Sequence, residues 1–304
     1  MLYKELIQEI EDMTYLFNAS SQRDLTDISF YLNAGHIFCA IESLETVLSN
    51  LFFSEDFLDS VVNKWICDLK QFVSKGIWIS SSGDVFTFDE MINNKIIDYC
   101  YGRNGFMVNY ACNLDGCIYL PDSVYAIKDA AFCHSKVQEV YIGKNTYMMG
   151  FDTFANCPLE VIYFNDVLEE VPSCCCKNCK ELKKVYLGKN IHTIRDNAFY
   201  NNLGLESIVL PENVKRIEFG AFEECRNLKF VREECKKLQR LDGNCFANCT
   251  SLVCFEIFES VLRCNETAFS GCKRTSIHLC VKDKRYIPFQ GCFDDCLEVK
   301  IYER

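Results

Sequence analysis

The chain has 304 residues, 49% hydrophobic and 25% charged, which is length enough for two ordinary domains and apolar material enough for a buried core. Its formal net charge of −11 and pI near 5.0 exclude a general affinity for nucleic acid or for anionic membrane surfaces, since both need a cationic footprint. Twelve Asp or Glu stand against five Lys or Arg in the first 75 residues, so −7 of the −11 lies there and the remainder of the chain is near neutral at −4.

Met1 to Met13 carries acids where a secretory signal needs an uninterrupted apolar run, and no eighteen-residue apolar stretch occurs anywhere. The expectation is a cytoplasmic chain with no membrane insertion, with export by a non-standard route left open. Leu2, Leu6, Ile10, Met13, Leu16 and Phe17 recur at helical spacing with acids between them, which predicts a first helix. A second helical stretch runs from about 25 to 52, with a break near Asn33 to Gly35. A third starts at Ser54, an N-cap residue followed by Glu55 and Asp56, and stops at Lys75 and Gly76, a cation and then a C′ glycine. Residues 1–76 therefore read as an acidic module of three or four helices. Ile77 to Phe88 reads as a hairpin turning at Ser80 to Gly83, and 105–120 as another turning at Asn113 to Gly116. Residues 77–117 become a hairpin-rich transition.

From there the chain resembles itself. An apolar strand, Pro or Gly, Asn, an aliphatic pair and then Ala-Phe recur, followed three residues later by Cys or Asn. The ring position falls at Phe132, Phe154, Cys176, Phe199, Phe222, Phe246, Phe269 and Phe293, at intervals of 22 to 24. Three residues on stand Ser135, Cys157, Cys179, Asn202, Cys225, Cys249, Cys272 and Cys296, a small thiol in six of eight units. Stacked units that fill one slot against their neighbours produce such a pattern. A period-two segment precedes each turn and predicts one inward-facing strand per unit, stacked in parallel. Ser123, Asn145, Asn190, Asn213 and Ser260 hold a polar turn position whose side chain can satisfy backbone groups.

These residues resemble a BspA-like leucine-rich repeat protein, over 118–301, or 184 of the 304 residues. The departures are Cys at 176 and the missing Pro or Gly in the sixth and eighth units. The expected fold class is α+β: a leucine-rich-repeat solenoid of about eight units over 118–304 with a one-strand-per-repeat parallel sheet, preceded by a small helical N-terminal module. Residues 1–117 are then either a cap on the apolar end of the solenoid or a separate partner-binding module; both readings stand.

The outward strand position reads Tyr119, Tyr141, Tyr163, Tyr186, Val209, Arg232, Glu256 and His278. Strands about 4.8 Å apart make the four tyrosines a ladder, and Tyr and Arg are the residues of interface hot spots. The expected function is thus a non-enzymatic scaffold that binds a protein partner through Tyr119, Tyr141, Tyr163, Tyr186, Arg232, Glu256 and His278. Against catalysis, His36, His134, His192 and His278 fall in no catalytic motif, and neither phosphate-binding glycine loop is present. Cys176 and Cys179 form a C-x-x-C, but both fall on repeat slots, so core thiols rather than a metal or redox site are expected, and no cofactor. Cys174 and Cys175 have no place in the frame. Two other readings are carried: an effector or toxin with its activity in the N-terminal module, and a surface adhesin, which the resemblance implies because family members are often exported.

Overall fold

The computed structural model describes residues 3–14, 19–33, 37–50, 56–102, 104–233, 236–281, 289 and 291–303. Four helices come first: α1 (Tyr3–Met13), α2 (Ala19–Asn33), α3 (Ile37–Asn50) and α4 (Asp56–Lys75). The expected break near Asn33 falls between α2 and α3; Leu2, Leu16, Phe17, His36 and Ser54 lie outside the described residues. Leu6, Ile10, Leu32, Leu44, Val62, Trp65 and Leu69 meet in one apolar cluster, with Lys64 and the Trp65 indole N–H both donating to Glu9 at the rim. Gly76, at φ +80°, ends α4 by donating to the Val73 carbonyl at 3.1 Å. A Cβ there would lie 2.6 Å from Pro121, so glycine is needed for the approach as well as for the turn.

β1 (Ile77–Ile79) and β2 (Val85–Thr87) form the expected hairpin, with Trp78 stacked on Phe86 at 5.0 Å, and lead into the short α5 (Phe88–Asn93). Thr87 and Glu90 close a capping box on α5. The second hairpin is not where the turn residues suggested. β3 (Asp98–Gly102) pairs antiparallel with β4 (Gly105–Tyr110), and Gly105, at φ +122°, takes the turn. β5 (Asp115–Tyr119) instead pairs antiparallel with β1. β4 and β5 thus lie in different sheets, and residues 105–117 belong to the first coil of the solenoid; Asn113 to Gly116 is a corner between its two faces.

Each coil carries a second strand beyond the one read from alternation. After β5 come β6 (Val124–Ile127), β7 (Lys136–Tyr141), β8 (Met148–Met149), β9 (Val161–Tyr163), β10 (Glu170–Val171), β11 (Lys184–Tyr186), β12 (Thr193–Ile194), β13 (Ser207–Leu210), β14 (Arg216–Ile217), β15 (Phe230–Glu233), β16 (Arg240–Leu241), β17 (Cys254–Phe258), β18 (Arg263–Cys264), β19 (Ser276–Val281) and β20 (Glu298–Glu303). Odd-numbered strands from β5 to β19, followed by β20, line one face in two hydrogen-bonded parallel runs, β5 to β11 and β13 to β20; even-numbered ones line a second face, also in two runs, β4 to β8 and β10 to β18, mostly of two-residue strands. Residues 118, 140, 162, 185, 208, 255 and 277 point inward as the alternation predicts.

The turn closing each coil explains the recurrent composition. Residues two before and two after the ring slot have positive φ: Ala130 and His134, Asp152 and Asn156, Cys174 and Asn178, Asn197 and Asn201, Gly220 and Glu224, Asn244 and Asn248. Gly, Asn and Asp tolerate that conformation best, hence their frequency there. Cys174 has its place at this left-handed position, and Cys175 takes the buried slot used by Ala131, Ala198, Ala221 and Ala268. The rings stack through the molecule: Phe132 on Phe154 at 5.0 Å, then Phe199, Phe222, Phe246 and Phe269 at 5.2 to 5.5 Å, with Cys176 in the interval between the two runs. Beside each ring the buried thiol donates to the ring-slot carbonyl of the coil before: Cys157 to Phe132, Cys179 to Phe154, Cys225 to Phe199, Cys249 to Phe222 and Cys272 to Phe246, all at 3.0 to 3.2 Å. Cysteine recurs because it is a small apolar filler that also donates weakly. The polar turn positions bond between coils too: Asn145 to the Asp122 carbonyl, Asn190 to Asp166 and Asn213 to Lys189.

Candidate partner-binding face

The ribbon from β5 to β20 presents two outward columns. One contains the predicted positions. The other lies two residues upstream and holds Cys117, Glu139, Val161, Lys184, Ser207, Phe230, Cys254, Ser276 and Glu298. Sequence reasoning missed this second column, although the same alternation run back by one step points to it.

Burial divides the face in two. Tyr119 is fully buried and Tyr163 is 8% exposed, whereas Tyr186 is 37% exposed. The cause is the helical module, which lies on this face: Cys117 and Tyr119 belong to the apolar cluster of the helices, and Tyr141 packs against it. The Ile37 N–H of α3 donates to the Tyr119 hydroxyl at 2.9 Å, and that hydroxyl donates to buried Glu139 Oε1 at 2.7 Å. Burial raises the phenol pKa of Tyr119 and Tyr163, with Glu139 adding to the rise in both. Burial also raises the Cys39 thiol of α3, with Glu139 adding to the rise and Lys184 of β11 opposing it. The expected ladder of exposed tyrosines is therefore corrected at Tyr119 and Tyr163: both are buried although they face away from the solenoid core, and Tyr119 enters the apolar cluster of the helices. The rings pair as Tyr119 with Tyr141, 6.2 Å and tilted, and Tyr163 with Tyr186, 4.3 Å and parallel.

Beyond Tyr186 the face is open. Val209 and Arg232 are opposed and exposed; Glu256, His278 and Lys300 follow in register on β17, β19 and β20, with His278 set edge-on to Tyr302 at 5.3 Å. Phe230 and Tyr302 add exposed apolar area.

The model of the BspA type leucine rich repeat region matches residues 105–229 and 232–303, in six copies. The chain belongs to that family. The match begins at β4, in agreement with a first coil that starts before residue 118. Among solved structures, the BspA-type chain is similar to a leucine-rich repeat protein from Bacteroides ovatus, with 18% identity over 68% of this chain and 75% of that one at a TM-score of 0.47. It is also similar to one from Eubacterium ventriosum, with 22% identity, 57% and 50% coverage and a TM-score of 0.43. A leucine rich cell surface protein from Faecalibacterium prausnitzii gives 15% identity, 69% and 94% coverage and a TM-score of 0.30. No curated protein matches the chain.

The remaining chemistry-bearing residues of this BspA-type solenoid sit in structural positions. His134 is a left-handed turn residue, and His192 touches Thr193 at 3.0 Å and Glu169 at 3.5 Å on the opposite ribbon. Among the described residues no group of three His, Cys, Asp or Glu side chains is arranged to hold a metal. The described cysteines are free thiols, and burial pushes Cys157 and Cys225 up to about 12, away from the thiolate that nucleophilic or redox chemistry requires.

Proposed function

We propose that the chain is a non-catalytic recognition protein that holds a protein partner on the open half of its strand face. The observation that carries this reading is the change along the outward columns: sealed beneath α1–α4 at Tyr119, then open from Tyr186 through Val209, Phe230, Arg232, Glu256 and His278. Exposed apolar groups interleaved with charges are the composition of a recognition surface rather than of an inert one. The free thiols favour a reducing compartment as its setting. The test is affinity capture with the intact chain beside an Arg232→Glu, Val209→Asp variant, followed by titration of each captured protein. Loss of the partner in the variant supports the reading; unchanged affinity for every partner overturns it.

A further inference from the structure

The strand-face ladder is interrupted between β11 and β13. Among the described residues no hydrogen bond joins Lys184–Tyr186 to Ser207–Leu210, yet the same two coils remain bonded elsewhere. Glu170 pairs with Thr193 on the opposite ribbon, and the Cys176 N–H donates to the Ala198 carbonyl at 2.8 Å in the turn. β13 gives its other edge to β15 over four residue pairs, so one edge is used and one is free. This junction also holds two departures from the repeated turn. Cys176 replaces the ring, and Asn202 replaces the thiol that should donate to the carbonyl of residue 176; Asn202 is fully buried with neither Nδ2 nor Oδ1 bonded. Two separate observations thus mark a junction where the coils are joined in the turns and on the opposite ribbon but not along the strand-face ladder.

A cleft of about 610 Å³ opens there on the strand face. Tyr186, Val209 and Pro211 supply its apolar wall, and Lys183, Lys184 and Lys189 its cations. Lys183 and Lys189 hold Glu160 and Asp166 in exposed ion pairs, which are weak, and Lys184 makes no ion pair among the described residues. Three lysines thus stand against the single acid Asp166 in its lining, within a chain of net charge −11, and Lys184 is the cation left over.

We propose that this cleft receives an extended acidic segment of a protein partner, which adds its backbone to the free edge of β13 and sets alternate carboxylates against Lys183 and Lys184. Unpaired strand edges are met by an added strand, and side chains of such a strand alternate between pocket and solvent. Full insertion parts the two lips to about twice the 4.8 Å strand spacing, which the missing bonds make easiest at this junction. The inference rests on the reading that the open face holds a protein, and narrows it to one place and one chemistry.

The test is fluorescence anisotropy of the full chain with labelled peptides of roughly eight residues, alternating Glu and Val or Lys and Val. A Glu-Val peptide N-methylated at alternate amides removes the strand bonds, and free glutamate serves as small-anion competitor. The Glu-Val peptide is expected to bind and the Lys-Val peptide not to. Lys183→Glu, Lys184→Glu together, or N-methylation, should each weaken binding by about tenfold or more, while Arg232→Glu changes it less than about twofold. Both lysines are exposed, so an unchanged melting curve shows the double variant folded. If free glutamate competes at equal carboxylate concentration, the cleft is a small-anion pocket. If N-methylation has no effect, or no peptide binds, strand addition is wrong. Loss of binding through Arg232→Glu alone moves the peptide to the open face and sinks the cleft, while the broader reading survives on its own capture experiment.

Discussion

Replacing Tyr119 with Phe tests whether the helices are held on the strand face or merely rest near it. The hydroxyl accepts from the Ile37 N–H at 2.9 Å and donates to Glu139 Oε1 at 2.7 Å, and all three residues are buried. A neutral buried bond contributes about 1 kcal/mol and one to a carboxyl group about 1 to 3, so the variant should lose about 2 to 4 kcal/mol. The first bond ties α3 to β5, and the second, from β5 to β7, satisfies a carboxyl group that is buried on the face carrying the helices; neither joins ring slots, so the loss falls on the helices and the strands beneath them and not on stacking of the later coils. At about 1.4 kcal/mol per decade, amides of α1–α4 should exchange with deuterium some 30-fold to several hundredfold faster, while those of β13 to β19 keep their protection. Mass-spectrometric exchange on the intact chain resolves the two regions. Equal protection of the helices in both proteins, or a uniform loss through the solenoid, refutes the docking argument.

Two further outcomes follow from the turn. Phe222→Ala removes a ring stacked on Phe199 at 5.3 Å and Phe246 at 5.2 Å, so urea unfolding should show a loss of about 3 to 5 kcal/mol; the exposed Val209→Ala should fall within about 0.5. Burial pushes the thiols of Cys157 and Cys225 up to about 12 and of Cys272 to about 11. An unfolded thiol titrates near 8.5, so the folded chain holds these protons more tightly. That contribution is full below about pH 8.5 and is lost toward pH 11 or 12, at up to about 1.4 kcal/mol per thiol per pH unit. The urea midpoint should drop between pH 8 and 10, and drop less in Cys225→Ala; a flat profile would contradict burial of the thiols.

The solenoid was legible because repetition averages out local noise. One ring with a small residue three positions on is weak, but eight such positions at near-constant spacing define slots, and Phe199, Phe222 and Phe246 do lie one above another. The second ribbon was not legible, since a strand such as Thr193–Ile194 is too short to show a period of two. Asn113 to Gly116 misled for a different reason. Its residues suit a tight hairpin, yet a corner that carries the chain from one face to the other asks for the same conformations, and only the pairing of β5 with β1 decides between them. The covering of Tyr119 was hidden because docking is non-local: the tyrosines are equivalent along the repeat, and what separates Tyr119 from Tyr186 is a helix eighty residues upstream of the first. A trace was present all the same. Cys117 and Glu139 stand two residues before their tyrosines, where Lys184 and Ser207 stand in the open coils, and an acid beside two aromatics fits a buried polar link better than a solvent face.

This arrangement separates two jobs that the N-terminal third could have combined. The apolar end of the stack is closed by β1 and β2, which extend the sheet antiparallel beyond β5, and by α5, whose Phe88 and Met91 enter the solenoid core. α1–α4 therefore need not act as an end cap, and their apolar cluster continues instead onto the outward side chains of β5. A bundle that covers one end of the strand face leaves the other end open, and the boundary between them falls near β11, beside the junction where the ladder is unbonded. A partner held on the open half as proposed would meet the edge of the bundle and the unbonded edge of β13 together, so its length along the face would be limited by the chain's own helices. Releasing those helices through Tyr119→Phe should then lengthen the available face toward Tyr141 without altering the surface around Arg232 and His278.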